Sequence, residues 1–430
     1  MSLAQALVCD DCGRRTGIDA PHQVCPACGG LLEVAYDLRQ ARRELDPERL
    51  LRRTPSVWRW RELLPVLDPA HEITLGEGGT PLVRSITVGA EIGLKELYFK
   101  NDTVMPTGSF KDRGFAVAVA RARELGQRRG FTYSSGNAAA SLAAYARRAA
   151  LDVALLVESD ANPTKVAQVA AYGFPVITLR FENFTEIDVM MERATRETSW
   201  CQFVNFLNPY RHEAMKTIAY EVARDLAAIR GRPGFAVPDM LVQPVGTGGG
   251  IHGAAKGFEE LLALGWTERV PRLVGVQPAS TGYLQEAFAA GRDHALPRPG
   301  AGSTIAQSIA ANAPLKGGRR ALAAIYRTGG SAETATEAQI LEAVLALGRE
   351  GILAEPAAAA PLAAVMAMAR AGRLDPEASV VCVVTGSGLK DPGALATALD
   401  SVPRATTPLS IHADLDELAA ALGALWARRP

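Results

Sequence analysis

The chain has 430 residues, enough for two domains and an appendage, because single hydrophobic cores stop growing at roughly 250 to 300 residues. Hydrophobic residues make up 48% of it and charged residues 21%, as in soluble globular proteins. Lysine plus arginine and aspartate plus glutamate both total 46, so no net charge attracts a polyanion. No stretch has the roughly 18 uninterrupted apolar residues of a membrane-spanning helix, and Cys9 and two aspartates precede any signal-peptide core. We therefore expect a cytoplasmic protein with no nucleic-acid and no membrane partner.

Four of the six cysteines lie in two close pairs near the N-terminus. Cys9 and Cys12 are separated by two residues, as are Cys25 and Cys28, and a glycine follows each pair. This spacing lets both sulfurs of a pair face one point, so two pairs can complete a tetrahedral thiolate site. Disulfides are the weaker alternative in a cytosolic chain. We predict a structural Zn²⁺ held by these four cysteines in a ribbon over residues 1–36, serving as a docking or stabilising element.

A charged stretch over residues 37–67, predicted to be helical with proline breaks, separates the cysteines from the segment around Lys111. Apolar residues recur after Gly114 with helical spacing, so Lys111 is predicted at or just before a helix N-terminus. The partial positive charge of a helix start disfavours an ammonium group beside it. The pKa of Lys111 should therefore be lowered, leaving more of the free amine that condenses with carbonyl compounds. A solvated lysine is the alternative interpretation.

A short strand predicted over residues 131–133 runs into a polar turn that opens a helix. The turn contains Ser134, Ser135 and Asn137. Backbone N–H groups at such a turn can bind an anion, and the hydroxyls add hydrogen-bond donors. An ordinary strand-to-helix turn with a serine cap is the alternative.

Strand-like and helix-like segments alternate over the next part of the chain, which favours a parallel sheet covered on both faces. The strand-like segments are residues 153–157, 176–179 and 202–204, and the helix-like ones are residues 164–172 and 184–197. The run from Asn205 through Arg211 then enters a helix predicted to reach Ile229. An arginine at a helix entry can bind phosphate or carboxylate through two parallel hydrogen bonds. A surface arginine is the alternative.

A strand predicted over residues 239–245 feeds a glycine-rich turn and then a helix over residues 251–264. The turn consists of Gly246, Thr247, Gly248, Gly249 and Gly250. Glycine lets the main chain approach a ligand closely, and the N–H groups and helix dipole favour an anion. The sequence therefore predicts an anion-binding cradle, although a glycine run alone is a weak motif.

The last predicted strand covers residues 379–384 and ends at Thr385. Ligands bind at the carboxyl ends of strands in open α/β sheets, which makes Thr385 a candidate contact. The intervening region over residues 291–318 is expected to be rich in loops. Cys201 and Cys382 stand in apolar runs and are predicted to be buried.

Several of these segments resemble the fold-type II, tryptophan synthase β-like family of pyridoxal-phosphate enzymes, and most closely the threonine synthases. The resemblance is carried by Pro-Thr-Gly-Ser-Phe-Lys-Asp-Arg-Gly around Lys111, by Gly-Glu-Gly-Gly-Thr-Pro-Leu at residues 76–82, and by Thr-Gly-Ser-Gly-Leu-Lys-Asp at residues 385–391. The serine- and asparagine-containing turn and the run ending in Arg211 also match family segments. The matching segments span residues 76–391 in family order.

The resemblance implies roles for individual residues. It implies that Lys111 is joined to the cofactor and is also the catalytic amine. It places Asn137 against the cofactor ring and implies that Thr385 contacts the pyridine nitrogen of that ring. It assigns the cofactor phosphate to the turn from Gly246 to Gly250. Contacts to the substrate are implied for Ser134, Ser135, Asn205 and Arg211.

The resemblance also implies an architecture: α/β, with two doubly wound, mostly parallel open-sheet domains and a small N-terminal zinc ribbon. We expect residues 37–104 and 231–430 to form the large domain and residues 105–230 the small one. The implied enzyme is a carbon–oxygen lyase that converts O-phospho-L-homoserine and water into L-threonine and phosphate. The family further suggests pyridoxal 5'-phosphate as cofactor, a small amino-acid substrate and a homodimer.

Two alternatives to a threonine synthase stay open, and departures from the family pattern motivate the first of them. Met215, Thr247, Gly250 and Ser387 replace more usual family residues. They suggest a related lyase acting on another hydroxy or O-phospho amino acid, such as a threonine or serine dehydratase or a β-replacement enzyme similar to cysteate synthase. The other alternative is a catalytically silent interaction protein that uses the zinc ribbon.

Overall fold

The computed structural model of the protein describes residues 1–134, 136–158, 162–180, 184–204, 207–296, 303–311, 318–401 and 410–426. Its strands are β1 (Ala4–Cys9), β2 (Arg15–Gly17), β3 (Leu32–Tyr36), β4 (Leu82–Arg84), β5 (Glu96–Asn101), β6 (Arg129–Tyr133), β7 (Asp152–Glu158), β8 (Val176–Leu179), β9 (Cys201–Gln202), β10 (Met240–Pro244), β11 (Arg272–Pro278), β12 (Ser331–Ala335) and β13 (Ser379–Val384).

The helices of the described ranges lie between or after the strands from β3 to β13. They are α1 (Leu38–Glu44), α2 (Pro47–Leu51), α3 (Val88–Glu91), α4 (Lys111–Glu124), α5 (Asn137–Ala149), α6 (Pro163–Ala171), α7 (Phe184–Glu197), α8 (Pro209–Glu213), α9 (Thr217–Ile229), α10 (Gly249–Ala263), α11 (Tyr283–Ala289), α12 (Arg319–Arg327), α13 (Glu337–Arg349), α14 (Pro356–Arg370), α15 (Pro392–Asp400) and α16 (Leu415–Trp426). Within the described ranges, no helix combines the length and the apolarity that crossing a bilayer requires.

Two largely parallel sheets form the body of the protein. The larger has the strand order β12-β11-β10-β13-β5-β4, and only β4 runs antiparallel to its neighbour. The smaller has the order β8-β7-β6-β9 and is parallel throughout. Central strands β10 and β13 are buried along their whole length, as expected where helices cover both faces of a sheet. The predicted α/β class with mostly parallel open sheets is confirmed.

A third sheet is formed at the N-terminus by β2, β1 and β3, all antiparallel. The two cysteine pairs lie at its strand ends. The connection between them reaches the smaller parallel sheet, where the Gln23 side chain bonds both backbone groups of Gln202: its amide donates to the carbonyl (2.6 Å) and its oxygen accepts from the N–H (2.9 Å). Gln202 belongs to edge strand β9, so this ribbon lies against the edge of that sheet.

Two expectations about helices are only partly met. The stretch over residues 37–67 contains α1 and α2, but it continues as a 3₁₀ segment (Val57–Leu63) in which Trp58 and Trp60 are buried. The helix expected to reach Ile229 is divided into α8, a 3₁₀ turn (Ala214–Lys216) and α9. The expected burial of Cys201 and Cys382 is confirmed.

Candidate active site

The candidate residues lie in turns that follow the carboxyl ends of parallel strands. The turn before Asn137 follows β6, the glycine-rich turn follows β10, and Thr385 follows β13. Strands β10 and β13 are parallel neighbours in the larger sheet, so the turns after them lie at the same edge, where ligands bind in open α/β sheets. Strand β6 belongs to the smaller sheet, and the turn after it meets this region through the hydrogen bond from Asn137 to Glu355.

Lys111 is the first residue of α4, as the sequence predicts. The turn before it is fastened by the buried carboxylate of Asp112, which accepts hydrogen bonds from the Thr107 N–H (2.7 Å), the Thr107 hydroxyl (2.6 Å) and the Ser141 hydroxyl (2.6 Å). Ser141 lies on α5, so this carboxylate also joins the first turn of α4 to the neighbouring helix. The backbone around Lys111 is therefore held on both sides.

The Lys111 amine lies 4.2 Å from the centre of the Phe110 ring. Its pKa is lowered to about 7, first by removal of the amine from water and then by the positive charge of Arg211, while the Glu355 carboxylate opposes the shift. The direction agrees with the sequence-based expectation. The main cause is burial, however, and not the helix N-terminus from which the expectation was drawn.

Asn137 is buried at the start of α5 and reaches across to the N-cap of α14. Its side-chain amide donates to the Glu355 carboxylate at 2.7 Å. The same carboxylate pairs with the Lys165 amine at 3.2 Å, and that amine also lies 3.2 Å from the Ser308 hydroxyl. Sequence reasoning missed Glu355 and Lys165, since neither lies near Asn137 in the chain.

The lysine turn is bonded directly to the turn that contains Thr385. The Phe110 N–H donates to the Thr385 carbonyl at 2.8 Å, and the Ser387 N–H donates to the Gly108 carbonyl at 2.9 Å. The Thr385 side chain is buried. These backbone bonds fix Thr385 beside the segment that carries Lys111.

The glycine-rich turn joins β10 to α10 without an intervening loop. Gly248 is the N-cap of α10 and has a φ of +97°, a conformation that side chains with a Cβ rarely adopt. At Gly250 an added Cβ would lie 2.5 Å from the Gln243 amide nitrogen and 3.3 Å from the Phe110 ring. The glycine positions of the turn therefore present the helix N–H groups beside the lysine segment without side chains of their own.

Arg211 lies on α8 and is buried, with 4% of its surface exposed. Its guanidinium donates to the Phe203 carbonyl at 2.7 Å and stacks over the Phe115 ring at 4.6 Å. Among the described residues, no carboxylate lies within ion-pair distance of it. Burial without a counter-ion lowers its pKa to about 9. The alternative of a surface arginine is therefore wrong.

Of the other residues expected to contact the substrate, Ser134 is half-buried and its hydroxyl accepts from the Gly136 N–H at 3.4 Å. Ser135 and Asn205 lie outside the described residues. The region thus brings Lys111, Asn137, Arg211 and Thr385 together with the glycine-rich turn.

These residues fit a pyridoxal-phosphate cofactor. An amine of lowered pKa suits attachment of an aldehyde, and the start of α10 suits its phosphate. Within the described ranges, the buried side-chain oxygen of Asn137 and both amide atoms of Gln243 have no hydrogen-bond partner. Buried polar groups normally find partners, so these atoms have capacity left for a bound molecule.

The four N-terminal cysteines converge. All four sulfurs lie within 4.8 Å of one another, with 3.5 Å between Cys9 and Cys28 and 3.7 Å between Cys12 and Cys25. Sulfurs bound to one zinc ion at about 2.3 Å in tetrahedral geometry lie about 3.8 Å apart, whereas a disulfide holds them at about 2 Å. The cluster therefore has the dimensions of a metal site and not those of two disulfides.

Fold and site together define an α/β enzyme that uses a partly buried lysine, whose amine has a lowered pKa, beside turns at the carboxyl ends of parallel strands. The sequence model of the family "pyridoxal-phosphate dependent enzyme" matches residues 73–386 of this chain. The chain belongs to this family of pyridoxal-phosphate dependent enzymes.

Two relatives that match over most of the chain are threonine synthases. The chain is 38% identical to the threonine synthase of Methanocaldococcus jannaschii over 412 residues, which are 95% of this chain and 97% of that one. It is 37% identical to the threonine synthase of Methanosarcina acetivorans over 388 residues, covering 90% and 92% of the two chains.

Solved structures agree with the fold. A threonine deaminase of T.th. is 25% identical with a TM-score of 0.58, and the match covers 72% of this chain and 92% of that one. The processed threonine deaminase isoform 2 from Solanum lycopersicum has a TM-score of 0.61 at 19% identity, over 77% and 89% of the two chains.

Proposed function

We propose that this protein is a threonine synthase that converts O-phospho-L-homoserine and water into L-threonine and phosphate. The observation that carries the proposal is a buried arginine without a carboxylate partner among the described residues, close enough to Lys111 to lower the pKa of its amine. A phosphorylated amino acid supplies the missing negative charge. Threonine and serine, the substrates of dehydratases, carry no such group.

Lys111 is the catalytic residue of the proposal. When bound, pyridoxal phosphate stores the electrons released as protons leave carbon. Lys111 holds the cofactor through its amine between turnovers. A free amine with a pKa of about 7 exchanges protons readily near neutral pH, so Lys111 can move the protons at Cα and Cβ of the substrate.

Other residues bind and orient. Arg211, Ser134, Ser135 and Asn205 hold the substrate phosphate, which leaves from Cγ before water adds at Cβ. Asn137 positions the cofactor ring, Thr385 contacts the pyridine nitrogen, and a hydroxyl partner does not force that nitrogen to be protonated. The cofactor phosphate is bound by Gly246, Thr247, Gly248, Gly249 and Gly250.

The remaining parts of the assignment concern the whole molecule. Cys9, Cys12, Cys25 and Cys28 bind a structural Zn²⁺, because a site with four protein ligands leaves no open position for chemistry. Residues 1–36 form the ribbon domain, residues 105–230 the small domain, and residues 37–104 with 231–430 the large one. The protein acts in the cytoplasm as a homodimer.

The function is tested by supplying purified, cofactor-loaded protein with O-phospho-L-homoserine and measuring threonine and phosphate. We expect both products in equal amounts. A parallel single-turnover assay with O-phospho-L-serine and with L-threonine examines the related lyases, and product formation from either of these alone would overturn the proposal.

The cofactor attachment is tested separately. Borohydride reduction, digestion and mass spectrometry should find a pyridoxyl group on the peptide that contains Lys111. Lys111→Ala should remove this adduct. An adduct elsewhere, or none in the unaltered protein, would contradict the assignment of Lys111.

A further inference from the structure

Helix α8 lies between the candidate active site and the N-terminal ribbon. Its Arg211 carbonyl packs so closely on the lysine helix α4 that a Cβ added at Gly114 would lie 2.5 Å from it. The next two residues, His212 and Glu213, are buried and are bonded to groups on the opposite side, next to β3 of the ribbon. Whatever holds these two side chains therefore also holds the backbone of Arg211.

Arg320 forms the first link between the ribbon and α8. Its guanidinium donates to the Asp10 carboxylate at 2.5 Å and to the Leu32 carbonyl at 3.0 Å, both on the ribbon. It also contacts the His212 ring nitrogen Nε2, at 2.9 Å. Because a guanidinium only donates, Nε2 must be the acceptor and the His212 ring must be neutral. Burial agrees with this, since it holds the His212 pKa well below its usual value.

Lys256 forms the second link. Its amine donates to the Val34 carbonyl at 2.6 Å and pairs with the Glu33 carboxylate at 3.2 Å, both on β3. It also pairs with the Glu213 carboxylate of α8 at 2.8 Å. Glu213 has no exposed side-chain surface, so its carboxylate depends on such partners, and it also pairs with Lys216 at 2.5 Å.

Two cations from different helices thus join the ribbon to consecutive residues of α8. Paired charges in a protein interior contribute little net stability compared with apolar packing, but they allow few alternative geometries. Groups that bind ligands need such support, since misplacement by about 1 Å can cost about 100-fold in rate. The two links therefore restrict the geometry of α8 in addition to attaching the ribbon to the rest of the protein.

We infer that the ribbon positions Arg211 for phosphate, with Arg320 and Lys256 as the positioning residues. The inference rests on the proposed function in one respect, the assignment of Arg211 to the substrate phosphate. It gives the ribbon a role in substrate affinity, distinct from a role in nucleic-acid or protein binding.

The test compares phosphate with a ligand that lacks it. Full-length protein loaded with zinc and pyridoxal phosphate is titrated with inorganic phosphate and, separately, with L-threonine by calorimetry. Arg320→Met keeps the length of the side chain and removes its donors. Arg327→Met is the matched control, because Arg327 lies on the same helix and its ion pair in the described part of the chain is with exposed Glu259 (2.9 Å).

We expect Arg320→Met to raise the Kd for phosphate about 10-fold or more and to leave the Kd for L-threonine within about twofold. KM for O-phospho-L-homoserine should rise in parallel, with kcat less affected. Arg327→Met should leave the Kd for each of the two ligands unchanged. Equal losses for both ligands would show a general structural role, and unchanged phosphate affinity would show that α8 needs no such support; either result overturns the inference.

Two further arms keep the test decisive. If Arg320→Met does not fold, two other variants replace it under the same criteria. They are Arg320→Lys, which retains a cation but cannot reach all three partners, and Lys256→Met.

Phosphate binding by unaltered protein that makes no threonine would refute the proposed reaction and leave the inference intact. Absence of phosphate binding by the unaltered, cofactor-loaded protein would refute the inference itself.

Discussion

Replacement of Arg211 by methionine should separate activity from stability. The guanidinium is buried, bonded to the Phe203 carbonyl and stacked on Phe115, with no carboxylate beside it in the described part of the chain. Hydrogen bonds to a charged group contribute about 1.5–3 kcal/mol each, so losing a two-point contact to phosphate should cost about 3–6 kcal/mol. This corresponds to a decrease of about 10² to 10⁴ in kcat/KM for O-phospho-L-homoserine.

Stability should respond differently. Burial lowers the Arg211 pKa to about 9, so at neutral pH the folded state carries a charge that its surroundings disfavour. The unfolded state binds this proton more tightly, and stability therefore rises as pH increases above about 9. Methionine removes the charge and retains contact with Phe115. The melting temperature without substrate should consequently be no lower than that of the unaltered protein.

Steady-state kinetics and thermal melting on the same preparations provide the assay. Arg211→Lys is the control, since it keeps a positive charge and loses the planar two-point geometry, and its kcat/KM should be intermediate. The reasoning fails if Arg211→Met lowers kcat/KM less than about 10-fold. It also fails if the melting temperature drops by many degrees together with activity.

Three other changes have defined outcomes. Cys12→Ser should abolish bound zinc, measured by atomic absorption, and lower the melting temperature, whereas Cys201→Ser should keep one zinc per chain. Arg113→Met should destabilise the protein by about 3–5 kcal/mol in urea unfolding, because it leaves the buried Asp102 carboxylate without a cation among the described residues, whereas Glu221 keeps its ion pair with Lys100; a loss below about 1 kcal/mol would contradict this. Glu350 accepts hydrogen bonds from the Ser85 hydroxyl and from the backbone N–H groups at the start of α3. These bonds lower its pKa to about 2, so its contribution is present above about pH 4.5 and disappears as the pH falls toward 2. Glu350→Gln should therefore melt lower than the unaltered protein at pH 7 and alike near pH 2; a constant difference between these pH values would refute the linkage.

Local sequence patterns predict the parts of the site that depend on neighbouring residues. Lys111 begins a helix, and the glycine run joins a strand directly to a helix, because turn residues and apolar periodicity are encoded over a few positions. The four cysteines converge because their spacing alone defines two tight turns. The fold class follows from the regular alternation of strand and helix patterns.

Long-range contacts account for what the sequence does not reveal. Glu355 meets Asn137 across 218 positions of the chain, and no local pattern marks that pairing. The cause of the Lys111 pKa shift was misjudged for the same reason, since burial and the charge of Arg211 arise only after the sheets assemble. Helices α11 and α12 and strand β12 were not anticipated, although the periodicity of α12 gives it a distinct apolar face buried through Leu322 and Ile325.

The contact between Gln23 and Gln202 bears on solubility. An edge strand whose outer backbone groups are unpaired can pair with the same strand of another molecule, and β9 is a short strand at the edge of its sheet. By occupying both backbone groups of Gln202, the Gln23 amide takes the place that an incoming strand would use. Removal of the first 36 residues would expose the backbone groups of this edge strand. Light scattering should then detect self-association even where the remaining chain is folded.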